Sequence, residues 1–456
     1  MRLVIVGGSD AGISAALRAR ELSPDIEVSV VLADRYPNFS ICGIPYHVSG
    51  EVPDWRALAH RSTADLAATG IRLITDTTVT AIDPAGRRIT ATPRDAGPAT
   101  HLGYNRLIVG TGAVPQQPPI AGLDSLGPAD GVHVLHTMGD TFALTDTLTA
   151  RAAETAVIIG AGYIGLEMAE ALTHRGLSVT VLERLDQVLP RTLDPELADL
   201  VAVELRRNGV RVHCGAAVDS VGHDPDSLTV TASGARHRAD LVLVVTGVQP
   251  DTGLLAAAGA RLGIAGSIAV DEAMRTTLPD IYAAGDCVHT HHRLLPEPAY
   301  LPLGTTAHKQ GRVAGENAAG GRARFAGSLG TQVVRVFGLV AAATGLRDTD
   351  ATAAGFEALT VAAVADDRKA YYPGASPIHM RLTGDRDSGR LLGAQLVGRI
   401  DAHVAKRIDI LATAITYRAA VADLDTLDLS YTPPLGSPYD AVQQAAQAWM
   451  TAAGRR

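Results

Sequence analysis

The sequence predicts an α/β protein with two strand–turn–helix nucleotide-binding units and a third, α+β unit without that motif. Three observations lead there. Residues 3–6 run into Gly7-Gly8-Ser9-Asp10-Ala11-Gly12; residues 155–159 run into Gly160-Ala161-Gly162-Tyr163-Ile164-Gly165; and from Phe325 onward no glycine fingerprint recurs. In such turns the first glycine makes the bend and the last lets helix and strand pack closely. The helix N-terminus then offers free N–H groups and a positive dipole to a pyrophosphate. Both units therefore read as Rossmann-like dinucleotide sites, and 456 residues leave room for about three domains.

Composition narrows the class. Hydrophobic residues make up 46%, charged residues 19%, and the net charge of -8 is spread without long like-charge blocks, which argues against nucleic acid as a partner. No apolar run is long enough to cross a bilayer, and Asp10 interrupts the hydrophobic opening, so no membrane is expected and the location expected is cytoplasmic. Three scattered cysteines, Cys42, Cys214 and Cys287, suit neither a secreted disulfide framework nor a zinc site.

In the first unit, Ile13, Ala16 and Leu17 follow the turn at helical spacing. A second strand, residues 28–32, ends near Asp34, where a ribose-binding acid belongs. Gly7, Gly8, Ser9, Ala11, Gly12, Asp34 and Arg35 are the candidate nucleotide contacts, with Ser9 in the place of the usual middle glycine. Next comes Asn38-Phe39-Ser40-Ile41-Cys42-Gly43-Ile44-Pro45-Tyr46-His47. Cys42 is the candidate reactive centre, since a thiolate is favoured at a helix start, and Pro45 suits such a start. Gly43 lets backbone pass near a flat ligand, Phe39 and Tyr46 are expected to pack around the sulfur, and Ser40 is placed with the cofactor contacts.

Residues 104–115 form a strand entering a glycine turn at Thr111 and Gly112, and Pro118-Pro119 marks a boundary. The second unit presents Gly160, Gly162, Tyr163, Ile164 and Gly165, and its next strand ends at Glu183. That carboxylate should accept from a ribose 2'-OH and repel a 2'-phosphate, favouring NADH, while Arg184 and Arg191 leave room for NADPH. Residues 241–250, with Gly247, echo the earlier strand-to-glycine turn and return the chain to the first domain. A buried strand then ends in Gly285-Asp286, and a helix opens at Gly304-Thr305-Thr306. Cys214 and Cys287 read as packing; His289, His291 and His292 read as a solvated loop, and no metal site is expected. Val404, Ile408, Leu411 and Ile415 mark one face of a late helix.

The Cys42 phrase resembles the active-site segment of the single-cysteine flavoprotein disulfide reductases, the group of coenzyme A disulfide reductase, NADH oxidase and NADH peroxidase. The resemblance spans essentially the whole chain. It implies FAD on the first unit, NADH or NADPH on the second, and a homodimer in which the partner subunit contributes to each active site. It also implies that Thr111 and Gly112 close over the flavin nucleotide, that Asp286 meets the ribityl chain, and that the segment at Gly304 lies beside the isoalloxazine. The domains expected are 1–118 and 247–323 for FAD, 119–246 for NAD(P), and 324–456 for dimerisation. Tyr431, within Asp428-Leu429-Ser430-Tyr431-Thr432-Pro433-Pro434, resembles the tyrosine lent to the partner's cysteine, and Tyr371 is placed with it as catalytic.

Related dithiol enzymes use C-x4-C, but His47 stands at the second position here, so Cys42 must rest as a mixed disulfide or sulfenic acid. The function expected is NAD(P)H-dependent reduction of small-thiol disulfides. One alternative is an NADH oxidase or peroxidase cycling Cys42 through sulfenic acid; another is a flavin-bound redox-sensing dimer without turnover.

Overall fold

The computed structural model describes every residue except 96, 151, 225, 226 and 456. Two five-stranded parallel sheets form its centre. The first has the order Ile281–Ala283, Arg106–Val109, Arg2–Val6, Glu27–Val31, Ile71–Ile74. The second has the order Arg211–His213, Ser178–Leu182, Thr155–Ile159, Leu241–Val244, Val132–His133. The central strands Arg2–Val6 and Thr155–Ile159 run apolar on both faces because both faces are covered. Leu3 and Ile5 feed one core and Val4 and Val6 the other; Ala156 and Ile158 oppose Val157 and Ile159 in the same way.

The chain leaves the first domain and returns to it side by side. Ala113–Pro115 pairs antiparallel with Val248–Pro250, and Thr111 Oγ1 donates to the Asp251 carbonyl at 2.6 Å. From Gln332 onward a five-stranded antiparallel sheet carries helices Val404–Thr416 and Ala441–Ala452. Its core includes Val404, Ile408, Leu411 and Ile415, the face expected, together with fully buried Trp449, whose Nε1 donates to the Leu359 carbonyl at 2.7 Å. Residues 371–375 lie in the turn between Ala358–Asp366 and Pro377–Asp385. Among the described residues, no helix is long and apolar enough to cross a membrane.

Two packing features position the site. Helices Asp10–Leu22 and Gly304–Ala318 meet through small residues at four-residue spacing. A Cβ on Gly311 would stand 2.2 Å from the Ala11 carbonyl oxygen, and one on Gly315 would stand 2.2 Å from that of Ala15. Only glycine permits this approach. Secondly, Ile44 and Val48 of helix Ile44–Ser49 share one core with Leu166, Ala169 and Leu172 of helix Tyr163–His174 and with Val334 and Val336 of the late sheet.

Candidate active site

Cys42 occupies the 3-10 turn Ile41–Gly43, directly ahead of helix Ile44–Ser49, with Pro45 in that helix's first turn. The residue is exposed at its surface, while neighbouring protein partly desolvates the thiol. Desolvation there, followed by the charges of Glu167, Asp10 and Asp286, raises the thiol pKa. This reverses the expectation of a thiol made acidic by the helix start: a single short turn supplies too little positive potential to outweigh burial and three carboxylates. The flanking aromatics also serve other partners. Phe39 joins Tyr36 and Trp55 in an aromatic cluster that Phe142 completes. The Tyr46 hydroxyl donates to Glu167 at 3.4 Å. His47 is bound through Nδ1 to the Val52 carbonyl at 2.8 Å.

Glu167 carries the largest consequence that sequence reading missed. Burial pushes its pKa to about 7, opposed by the Tyr46 hydrogen bond. Glu167 and Glu170 stand three apart on a helix whose residues Leu166, Met168 and Ala169 are fully buried, so the acid is drawn into apolar surroundings that only the fold reveals. Glu170 is spent on Arg335, at 2.8 Å, and on the backbone N–H of Phe337 at 2.7 Å. Asp286 is pushed up to about 6, chiefly by burial and further by Asp10.

The residues of the first glycine turn fit a dinucleotide. Gly7 has φ of 103°, and a Cβ there would lie 2.0 Å from the Gly110 carbonyl oxygen; a Cβ on Gly12 would lie 2.0 Å from that of Gly7. The turn is thus a cradle that side chains would fill. Asn38 donates its backbone N–H to the Gly8 carbonyl at 2.8 Å, while its buried Nδ2 has no protein partner. Asp34 accepts from Tyr36 N–H at 2.9 Å, and burial raises its pKa. Arg35 is exposed and pairs with Asp76 at 3.4 Å. The Ala11 side chain packs at Gly285 and its backbone at Gly311. The Gly285 N–H donates to buried Gln310 at 2.9 Å. Thr306 is buried and donates to Ser328 at 3.1 Å, whereas Thr305 is exposed. Ser40 precedes the Cys42 turn and donates its N–H to the Leu58 carbonyl.

The second turn repeats the design. A Cβ on Gly165 would lie 2.1 Å from the Gly160 carbonyl oxygen, whereas Gly162 faces open space. Glu183 is buried and accepts from the N–H groups of Ala161 at 2.8 Å and Leu185 at 2.9 Å, which fixes its carboxylate beside the glycine turn. Tyr163 and Ile164 pack against the shared core; Arg184 is exposed, and Gly247, with φ of 117°, sits at the domain crossing.

Tyr431 and Tyr371, sixty positions apart, lie close together on the surface of the late domain, and desolvation, followed by the neighbouring Tyr371, raises the Tyr431 pKa. Both are exposed. Cys287 is buried in the first domain's core and Cys214 packs against the second's. The reading of His289, His291 and His292 as a solvated loop holds for His291 alone. His292 is buried with Nδ1 accepting from Leu294 N–H, and the His289 ring bonds the Val270 backbone.

The description "Pyridine nucleotide-disulphide oxidoreductase" matches residues 1–311, and the corresponding dimerisation domain matches residues 331–441. An NAD(P)H sulfur oxidoreductase (CoA-dependent) of Pyrococcus furiosus is 34% identical over 96% of this chain and 97% of its own. An NADH oxidase of Methanocaldococcus jannaschii is 33% identical over 98% of each chain. The structure of a NAD-dependent persulfide reductase from A. fulgidus superposes with a TM-score of 0.94 at 38% identity, covering 99% of this chain and 83% of that one. With the two glycine turns, the cysteine between them and the late sheet each in the order this family uses, the chain is a member of the pyridine nucleotide-disulphide oxidoreductases.

Proposed function

We propose that this enzyme uses NAD(P)H and FAD to reduce small-thiol disulfides through Cys42 alone. The observation that carries the reading is Cys42 at the junction of both nucleotide units, with no second cysteine within its own turn or helix. The turn of Gly7 to Gly12 would hold FAD and that of Gly160 to Gly165 the nicotinamide nucleotide, which when bound would supply the two electrons as hydride. The Cys42 thiolate attacks one sulfur of the acceptor, forms a mixed disulfide and releases the first thiol. Reduction of that mixed disulfide by two electrons then releases the second thiol and restores the thiolate. Over one cycle NAD(P)H, a proton and one disulfide become NAD(P)+ and two thiols.

Several observations support the details. The carboxylate of Asp10 acts on Cys42, and an anion there disfavours a bound peroxide anion, so disulfide reduction is preferred to oxidase or peroxidase chemistry. Arg18 is paired with Glu21 at 2.9 Å and with Glu316, while Arg20 donates to the backbone carbonyls of Thr69 and Ile26. With its arginines committed, the first helix favours a compact acceptor over one bearing several phosphates. The fixed carboxylate of Glu183 favours NADH over NADPH. The homodimer, the partner subunit's Tyr431 near each Cys42, and a cytoplasmic setting belong to the same reading.

Steady-state kinetics with both nucleotides against a panel of disulfides, persulfides and oxygen test it. The expected result is disulfide turnover with higher kcat/KM for NADH, and loss of that turnover in Cys42→Ser with flavin binding and NADH-driven bleaching of the flavin retained. Full disulfide turnover in Cys42→Ser overturns the assignment; preference for NADPH overturns the donor reading alone.

A further inference from the structure

Among the described residues, two groups of histidine and carboxylate side chains bring three ligand atoms within 4.8 Å of one another: Asp10, His60 and His308, and Glu51, Glu170 and His174. The second group already holds a cation, because the Arg335 guanidinium lies 2.8 Å from Glu170 and 3.0 Å from Glu51. In the first group, among the described residues, Asp10 pairs with His308 and with no lysine or arginine. We propose that Asp10, His60 and His308 form a binding site for one divalent ion of the zinc class, where the first helix meets helix Gly304–Ala318.

The spacing suits such an ion. His308 Nε2 lies 3.3 Å from Asp10 Oδ1. Ligands at about 2.0–2.1 Å from a tetrahedral zinc stand about 3.3 Å apart along each edge. The imidazole is oriented from behind, since His308 Nδ1 shares a 2.8 Å hydrogen bond with Ser14 Oγ. When Nδ1–H donates to Ser14, the Nε2 lone pair faces the Asp10 oxygen, a contact that a proton or a metal ion between the two atoms satisfies. Metal-bound histidines are commonly held through the other ring nitrogen in this way.

The ligands also come from separate elements with fixed spacing. Asp10 opens the first helix and His308 lies near the start of helix Gly304–Ala318, and the close contact of Gly311 with Ala11 locks these two together. His60 reaches in from a loop tied to the site by its N–H bond to the Asn38 carbonyl at 3.0 Å, and its ring centroid is 6.1 Å from that of His308. Two imidazoles and one carboxylate are the ligand set of a borderline divalent ion, and three protein ligands leave a fourth position open.

The test is a titration of metal-stripped, FAD-loaded enzyme with Zn2+ against a chromophoric chelator. One Zn2+ per subunit is expected. The double variant His60→Ala/His308→Ala should weaken binding at least about 100-fold, and Ser14→Ala about tenfold. Glu51→Gln should leave binding unchanged. Intact flavin absorbance verifies folding, and if the double variant loses flavin, His60→Ala alone, on an exposed loop, decides by the same criterion. Unchanged affinity in the histidine variants, loss of binding in Glu51→Gln, or no wild-type binding at micromolar Zn2+ overturns the site. Binding is read without any acceptor, so this result stands apart from the disulfide assignment.

Discussion

Glu167 is one methylene longer than the aspartates around Cys42, yet it is the acid whose titration falls nearest neutrality. Its pKa is raised from the ordinary 4.5 to about 7 by burial, so the folded chain holds this proton more tightly than the unfolded chain does. The stabilisation from that proton is complete below about pH 4.5 and is lost as pH rises through about 7; the displacement corresponds to about 3 kcal/mol. Glu167→Gln should therefore flatten the fall in Tm between pH 5 and 8. The same substitution removes one of the charges that raise the Cys42 thiol, so the pH midpoint of iodoacetamide alkylation should move down. A wild-type profile in both measurements would mean that Glu167 stays ionised and solvated. Nothing in the glycine motif announces this role; it arises because the residue's helix is covered by Ile44 and Val48, which lie some 120 positions away.

At the scale of elements, the pair Asp10–Leu22 and Gly304–Ala318 is the most demanding contact. Gly311→Ala places a methyl group 2.2 Å from backbone that cannot rotate away, so the helices must part. Overpacking of this kind costs about 1–3 kcal/mol. The variant should show a Tm lowered by several degrees and weaker retention of flavin on dialysis. Gly253→Ala, in the short helix Gly253–Ala257 with nothing within 4 Å, provides the contrast and should be neutral or slightly stabilising. Equal behaviour of the two variants would refute the packing argument. The glycine turns were legible because their function is local: strand, bend and helix follow one another within a dozen residues. The Gly311 contact, the aromatic cluster that takes Phe39, and the union of His60 with His308 were not, since each depends on which elements meet across the fold. Likewise Cys42 was legible as a reactive residue from its phrase, but its raised pKa was not, because it follows first from desolvation in the fold and then from carboxylates on three distant segments.

For the whole molecule, the late domain exposes large apolar side chains. Tyr371 is 71% exposed, Tyr417 81% and Leu435 64%, consistent with a surface that another copy covers. The charges acting on Cys42 all come from the nucleotide domains, while Tyr431 stands on this outer surface. If each site joins Cys42 of one subunit to the partner subunit's Tyr431, Cys42→Ser and Tyr431→Phe homodimers are both impaired. Mixed dimers then recover one intact site of two, about half the wild-type rate. Doubly tagged heterodimers assayed for disulfide turnover check this. Confirmed subunit exchange without recovery would show that each site is built within one chain.

The paired strands Ala113–Pro115 and Val248–Pro250 also bear on how such enzymes change over time. Because the chain departs and re-enters through one hydrogen-bonded ladder, the intervening segment is an insertion whose two ends already touch. Exchange of that segment for one with a different donor preference leaves the strands of the first sheet uncut. One constraint on any replacement is that it offer a helix face that accepts Ile44 and Val48, which pack behind the turn bearing Cys42. A replacement segment must therefore match Ile44 and Val48 on one side and, on the other, the late sheet, where Val334 and Val336 share its core and Arg335 pairs with Glu170.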